Sequence, residues 1–391
     1  MTKGSTWRRA FASAGFFLAG AVMTQARAAE TFWVYVGTYT NSKESPSDGI
    51  YRLEFDPADG SLTPRGVAAK SADPSFLAVH PSGKFLFAVN ELGEFQGEKA
   101  GGVSSFALDA ATGELTPINQ QSSKGAHPCH LTLDPAGKVA IVANYSGGSV
   151  ACLPIGPDGS LHPASSFVQH RGKSVDPGRQ TAPHAHSANL DPTGKVALVA
   201  DLGLDKVLLY DLDADAGKLE PHAPAAVDVA PGSGPRHLAW HPSGNFAYVI
   251  TELANTVDVL SYDREKGVLA PVQSVSTLPP DFQGKSYCAE VVVHPSGKFV
   301  YGSNRGHDSL AIFRVDPASG ELAPAGWQLV GGKNPRNFAI DPTGKYLLAA
   351  GQDSDGIVVF RIDPESGGLS AVGEPVAIPK PVCIRFVPRS N

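Results

Sequence analysis

With 391 residues the chain is long enough for two or three ordinary domains, yet only 18% of it is charged, and 42 Gly and 32 Pro punctuate it throughout. That is the composition of many short strands joined by tight turns, and the formal net charge of -6 disfavours nucleic acid and anionic lipid as partners. Four scattered cysteines, Cys129, Cys152, Cys288 and Cys383, are too few for a disulfide framework and lack the CxxC spacing of a metal site, although an exported chain permits a bridge.

Residues 1–29 differ from the rest: Arg8 and Arg9, then an apolar stretch over 16–23, then Ala26, Arg27 and Ala28 before Ala29. This is the plan of a cleavable signal peptide of twin-arginine type, with an apolar part too short to anchor in a bilayer. Its removal takes away Lys3, Arg8, Arg9 and Arg27 and no acid, moving the balance from -6 to -10. The mature chain, 30–391, is expected to be exported or periplasmic, with no membrane contact after cleavage.

A hairpin phrase of the type His-Pro-Ser-Gly-Lys-Phe then occurs six times, at 80–85, 134–139, 191–196, 241–246, 294–299 and 341–346. Successive copies start 54, 57, 50, 53 and 47 residues apart. A period near 50 with several short strands per unit marks a β-propeller. A second phrase, an acidic turn followed by Gly-x-Leu, occurs seven times, starting at Asp56, Asp109, Gly156, Asp213, Asp263, Asp316 and Asp363. Seven turns of one kind against six of the other leave one unit split. Residues 381–388 have the spacing of residues 74–81, so the C-terminal strand is expected to close a blade begun at the N-terminus. The sequence thus predicts an all-β, seven-bladed propeller domain with four antiparallel strands per blade.

The hairpin phrases act as a ruler. Residues four and five before each opening His or Asp fall at the start of the innermost strand, and residues ten and eleven after it fall beside them by antiparallel pairing. The first set includes Cys129-His130, His186-Ser187, Arg236-His237, Ala289-Glu290 and Arg336-Asn337; the second includes Asn90-Glu91, Asn144-Tyr145, Thr251-Glu252 and Asn304-Arg305. Carboxylates, guanidiniums and imidazoles converging on one mouth suit an anionic or polyhydroxylated small ligand. His186, Arg236, Glu252 and Arg305 are the candidate catalytic residues. His184, His130, His237, Glu290, Asn304, Arg336 and Tyr145 are candidates for substrate binding. His184 and His186 alternate along a strand, so a regular pleat turns only one inward, and the register favours His186. The connections 169–183, 278–287 and 91–102 are expected to wall the pocket. The His residues opening the phrases, His80, His241 and His294, read as scaffold.

No nucleophile elbow, phosphate-cradling loop or His-Glu-x-x-His is present. The sequence calls for no cofactor and no metal, with a divalent ion left open. At Ala182-Pro-His-Ala-His-Ser187, Gly234-Pro-Arg-His-Leu238, Thr251-Glu-Leu-Ala-Asn255 and Ser303-Asn-Arg-Gly-His-Asp-Ser309 the chain resembles the bacterial lactonase family of seven-bladed propellers. That family includes propeller-type 6-phosphogluconolactonases and, more distantly, the fungal carboxy-cis,cis-muconate cyclase. The resemblance implies a site of His186 (or His184), Arg236, Glu252 and Arg305, and hydrolysis of a sugar lactone, with Glu252 or His186 as base. The export signal turns the expectation towards an unphosphorylated sugar lactone. Two other readings use the same residues: a periplasmic carbohydrate- or partner-binding propeller without catalysis, and a cyclase acting on muconates.

Overall fold

The computed structural model describes residues 1–4, 31–43 and 46–390; the body of the predicted signal peptide lies outside the described residues. The remainder forms 28 strands in seven four-stranded antiparallel sheets, the seven blades the phrase counts predict. The split blade is also as expected. Strand Pro381–Pro388 pairs with Phe32–Thr38, running from Phe32 opposite Pro388 to Gly37 opposite Cys383.

Each hairpin phrase makes one turn geometry, with its Gly at a φ between 67° and 73° (Gly83, Gly137, Gly194, Gly244, Gly297, Gly344), a conformation that costs an L residue energy. The opening residue then does one of two jobs. Asp134, Asp191 and Asp341 turn their carboxylates onto the main-chain N–H groups of their own turns, such as Val139, Val196 and Tyr346. His80, His241 and His294 instead reach the next blade, where Nε2 meets the carbonyls of Gly137, Gly297 and Gly344 at 3.1, 3.1 and 2.8 Å. These histidines are blade-to-blade staples, which explains why they recur without belonging to a site.

The core lies between blades. One cluster packs Phe246, Tyr248 and Val259 against Val300 and Phe313 of the neighbouring blade; another packs Phe299 and Tyr301 against Phe338, Leu347 and Phe360. Burying each such side chain contributes about 1.5–3 kcal/mol. Buried Tyr248 and Tyr301 satisfy their hydroxyls on the carbonyls of Gly320 and Gly367. Ring closure therefore fixes the inner strands about one axis, and the site is built there.

Candidate active site

The ladder between the inner strand and its neighbour slips by one residue in six blades; in one of them Ala289 and Glu290 lie within the shift, and in the other five a single residue is skipped. Pairing skips Cys129 (between Pro128 and His130), His186 (between Ala185 and Ser187), Arg236 (between Pro235 and His237), Arg336 (between Pro335 and Asn337) and Val382. Cys129, His186, Arg236 and Arg336 each stand five before their blade's ruler mark, and Val382 holds the matching place in the split blade. Released from the ladder, each is re-aimed, which is what β-bulges do beside functional sites. Facing these bulges are the residues eleven after the mark, which lie at the ends of the second strands.

These two rows enclose a pocket of about 300 Å³ lined by Glu91, Cys129, Tyr145, Arg179, His186, Glu252, Tyr287, Arg305 and Arg336. Its centre is Glu252. Oε2 of its carboxylate lies 3.1 Å from Arg236 Nε, 2.8 Å from Arg305 Nη2 and 4.0 Å from His186 Nε2, while Oε1 lies 2.6 Å from Arg179 Nη2. Arg236 also donates to the carbonyl of Ala289 at 2.6 Å, and Arg305 to that of Cys288 at 2.8 Å, so both guanidiniums are anchored to main chain. Arg336 packs its guanidinium over the Tyr39 ring, 5.5 Å from its centroid, and Tyr39 donates to Glu91 at 3.0 Å.

Charge follows from this geometry. Burial works against ionisation of Glu252, but Arg305, Arg236 and Arg179 outweigh it and hold the pKa down to about 2. His186 moves the other way: burial, then the nearby Arg236 and His237, push it well below the usual imidazole range. Burial beside Arg336 and Arg305 brings Arg236 to about 10, still cationic at neutral pH. Burial and Glu91 push the Cys129 thiol up, so it remains a thiol; its Sγ lies 3.3 Å from the His186 carbonyl and 3.7 Å from His186 Nδ1. At neutral pH the pocket holds carboxylates, a neutral imidazole and an excess of guanidiniums.

The structure brings together His186, Glu252, Arg305, Arg336 and Tyr145 around the cavity, with Arg236 buried behind Glu252. It places the other predicted residues elsewhere. His184 stacks on the Tyr145 ring at 4.6 Å and meets the Tyr145 carbonyl at 3.0 Å, outside the lining. Asn304 is fully engaged by Thr277 and Ser309 and is scaffold, as the other buried residues ten after a mark are. His130, His237 and Glu290, one residue further along the inner strands, line a second cavity of about 370 Å³ with Phe76, Phe338 and Arg385. There Glu290 accepts from His237 Nδ1 at 2.9 Å and from Asn337 Nδ2, and Asn337 Oδ1 accepts from Ile384 N at 2.8 Å. This chain of bonds ties four consecutive blades.

The expectation that both residues of each pair share one mouth is thus corrected: a step of about 3.3 Å along a strand separates two cavities. Three guanidiniums hold the Glu252 carboxylate ionised beside the neutral His186. Sequence reasoning placed Glu91 in the ring without naming it among the candidate site residues, and it missed Arg179 and Tyr287. Glu91 sits at the same ruler position as Glu252. Arg179 and Tyr287 come from two of the expected wall segments, outside the repeat, where no ruler applies. Asp176 caps the turn before Arg179, and Gln180 fixes it to the Leu202 carbonyl and Asp205. Among the described residues, no group of three or more His, Cys, Asp or Glu is arranged to hold a metal ion. The four cysteines are free and buried.

A propeller whose axis carries an arginine-rich polar pocket around a buried carboxylate and a neutral imidazole belongs to the class built for oxygen-rich small molecules. The model of the lactonase family, a 7-bladed β-propeller, matches residues 33–386. The 6-phosphogluconolactonase of Bacillus subtilis is 37% identical over 354 residues, covering 90% of this chain and 97% of that protein. The 6-phosphogluconolactonase of Formosa agariphila is 32% identical over 79% of this chain and 86% of its own length. The solved structure of the periplasmic gluconolactonase of Pseudomonas aeruginosa superposes with a TM-score of 0.86, at 37% identity, over 92% of this chain and all of that one. The chain belongs to the lactonase family of seven-bladed β-propellers.

Proposed function

We propose that the chain hydrolyses a sugar lactone, an unphosphorylated gluconolactone being the first substrate to test, and that it does so in the periplasm after loss of its leader. The observation that carries this reading is the neutral His186 beside an ionised Glu252 that is surrounded by guanidiniums. Arg305 and Arg336 face the cavity and are placed to polarise a lactone carbonyl and to stabilise the oxyanion that develops on attack. Arg236, buried and spent on Glu252 and Ala289, acts as a positioning group.

His186 takes the proton of the attacking water, and the Glu252 carboxylate 4.0 Å away stabilises the imidazolium that forms. The same proton then goes to the ring oxygen as the carbon–oxygen bond breaks, leaving an open-chain hydroxy acid. The twin-arginine-like leader and the likeness to a periplasmic gluconolactonase support the unphosphorylated substrate and the compartment.

The test is acid release from D-glucono-δ-lactone and from its 6-phosphate by the purified mature chain, with and without a chelator. The expected result is opening above the spontaneous rate, faster for the unphosphorylated lactone. Glu252→Gln should lower kcat by about 100-fold or more while a bound gluconate is still detected. No acceleration on either lactone removes the proposal; binding without turnover would move the chain to the non-catalytic class.

A further inference from the structure

The two oxygens of Glu252 keep different company. Oε2 is held by Arg236 from behind and by Arg305 from the cavity wall; their side chains are only 2% and 15% exposed and their other hydrogen bonds go to main-chain carbonyls. Oε1 has one partner, Arg179, whose side chain is 35% exposed. Arg179 spends no side-chain N–H on main chain. Its other contacts are the Tyr145 hydroxyl at 3.0 Å and the face of Tyr287 at 5.9 Å, both walls of the same cavity. Its backbone is held in place by Asp176 and the bonds of Gln180, so the head group can leave Glu252 without the loop moving.

We infer that Arg179 is the specificity-determining residue of the pocket: in the resting site it occupies Oε1 of Glu252 in place of a substrate hydroxyl, and it yields that oxygen only to a lactone able to donate one. The inference rests on the lactone-hydrolase reading above. Arg179 reaches from the wall loop across the cavity, so a substrate lying against Glu252 must take over its bond. A polyhydroxylated lactone makes the exchange nearly even. Its hydroxyl donates to Oε1, and the displaced guanidinium keeps Tyr145 and Tyr287 and can turn Nε or Nη1 to another substrate oxygen. A lactone without hydroxyls offers no donor, and Oε1 would lose a charge-assisted hydrogen bond with nothing in return. Leaving a buried polar group unmatched is how sites reject analogues by large factors, up to about 10⁴ or more.

The experiment compares kcat/KM for D-glucono-δ-lactone and δ-valerolactone in the wild type, Arg179→Gln and Arg179→Lys, with thermal melting to show that each variant is folded. The wild type should prefer the hydroxylated lactone by about 10³ or more. In Arg179→Gln that preference should shrink by about tenfold or more, mainly through a lower KM for δ-valerolactone, and Arg179→Lys should restore part of it. The inference is overturned if the two lactones change in the same proportion, or if the wild type opens δ-valerolactone as readily as the sugar lactone. A wild type that opens neither lactone would sink the activity reading itself, so the two failures are distinct. Were Arg179→Gln not to fold, the wild-type preference and Arg179→Lys still decide the matter.

Discussion

Two cavities share the propeller axis, and one residue of strand separates the groups that face them. The upper cavity gathers Glu91, Glu252, Arg179, Arg305, Arg336 and His186; the lower gathers His130, His237, Glu290 and Arg385 among Phe76, Phe338 and Phe386. Both contain imidazole, carboxylate and guanidinium. In the upper, three guanidiniums converge on one carboxylate, and Arg336 packs on the Tyr39 ring, faces the pocket and feels the charges of Glu91 and Glu252. In the lower, Glu290 is matched by His237, Asn337 and a main-chain N–H. The Glu290 carboxylate is thus closed on groups of the fold, although His237 Nε2 has no partner, whereas the upper cluster keeps surplus positive charge facing open space.

The sharpest way to break this contrast is to remove one group from each cavity. His186→Ala should lower kcat by about 100-fold with little change in stability, since it takes away the proton acceptor. Glu290→Gln should do the reverse: kcat should fall by less than about tenfold, while the denaturation midpoint shows a loss of roughly 1–3 kcal/mol from weakened hydrogen bonds between blades. Equal losses of activity in the two variants would mean that the lower cavity takes part in the chemistry.

Acid sharpens the comparison in another way. Burial lowers the pKa values of His130, His186 and His237, the last to about 4, so the folded chain keeps these imidazoles neutral where the unfolded chain protonates them. Unfolded protein therefore binds more protons below about pH 6.5, and stability falls as acid is added. His237 alone is worth roughly 3 kcal/mol between pH 7 and pH 4, a loss that His237→Phe should abolish. Glu252 adds a second window, since its stabilisation is present above the ordinary carboxylate range and is lost as pH falls towards about 2. A denaturation midpoint that stays flat from pH 7 to pH 5 would contradict neutral buried histidines.

The smallest effect belongs to the staples. His80→Ala removes the bond to the Gly137 carbonyl and should cost about 1 kcal/mol with lactone opening unchanged. A large loss of activity there would show that blade-to-blade spacing is transmitted to the axis.

Blade number, the split blade and the rows of polar residues were legible in the sequence because the hairpin phrases fix position to within one residue. The limit was that one residue. Telling Arg236 from His237, or Arg305 from Asn304, requires knowing that the inner strand bulges. Part of a signal was present: Pro128, Pro235 and Pro335 stand six before a mark, Pro381 holds the matching place in the split blade, and each directly precedes a skipped residue. Proline inside a sheet is confined to edges, strand starts and bulges, so it is compatible with a slip without specifying one: Pro74 is followed by none, and Ala185 precedes the skipped His186. Arg179 was out of reach for another reason. It sits on a connection with no counterpart in the other blades, where position depends on the private bonds of Asp176, Gln180 and Asp205.

The closing strand has a consequence for how the site comes into being. Every group named in the upper cavity precedes Pro381, yet the inner strands are held about the axis only once Pro381–Pro388 has docked, with Arg389 N on the Thr31 carbonyl and Ile384 N on Asn337. A chain cut short before that strand would carry all of its chemistry and assemble none of it. The eight-residue strand Pro381–Pro388 works as a checksum on the ring: the pocket is expected only in a polypeptide that carries it.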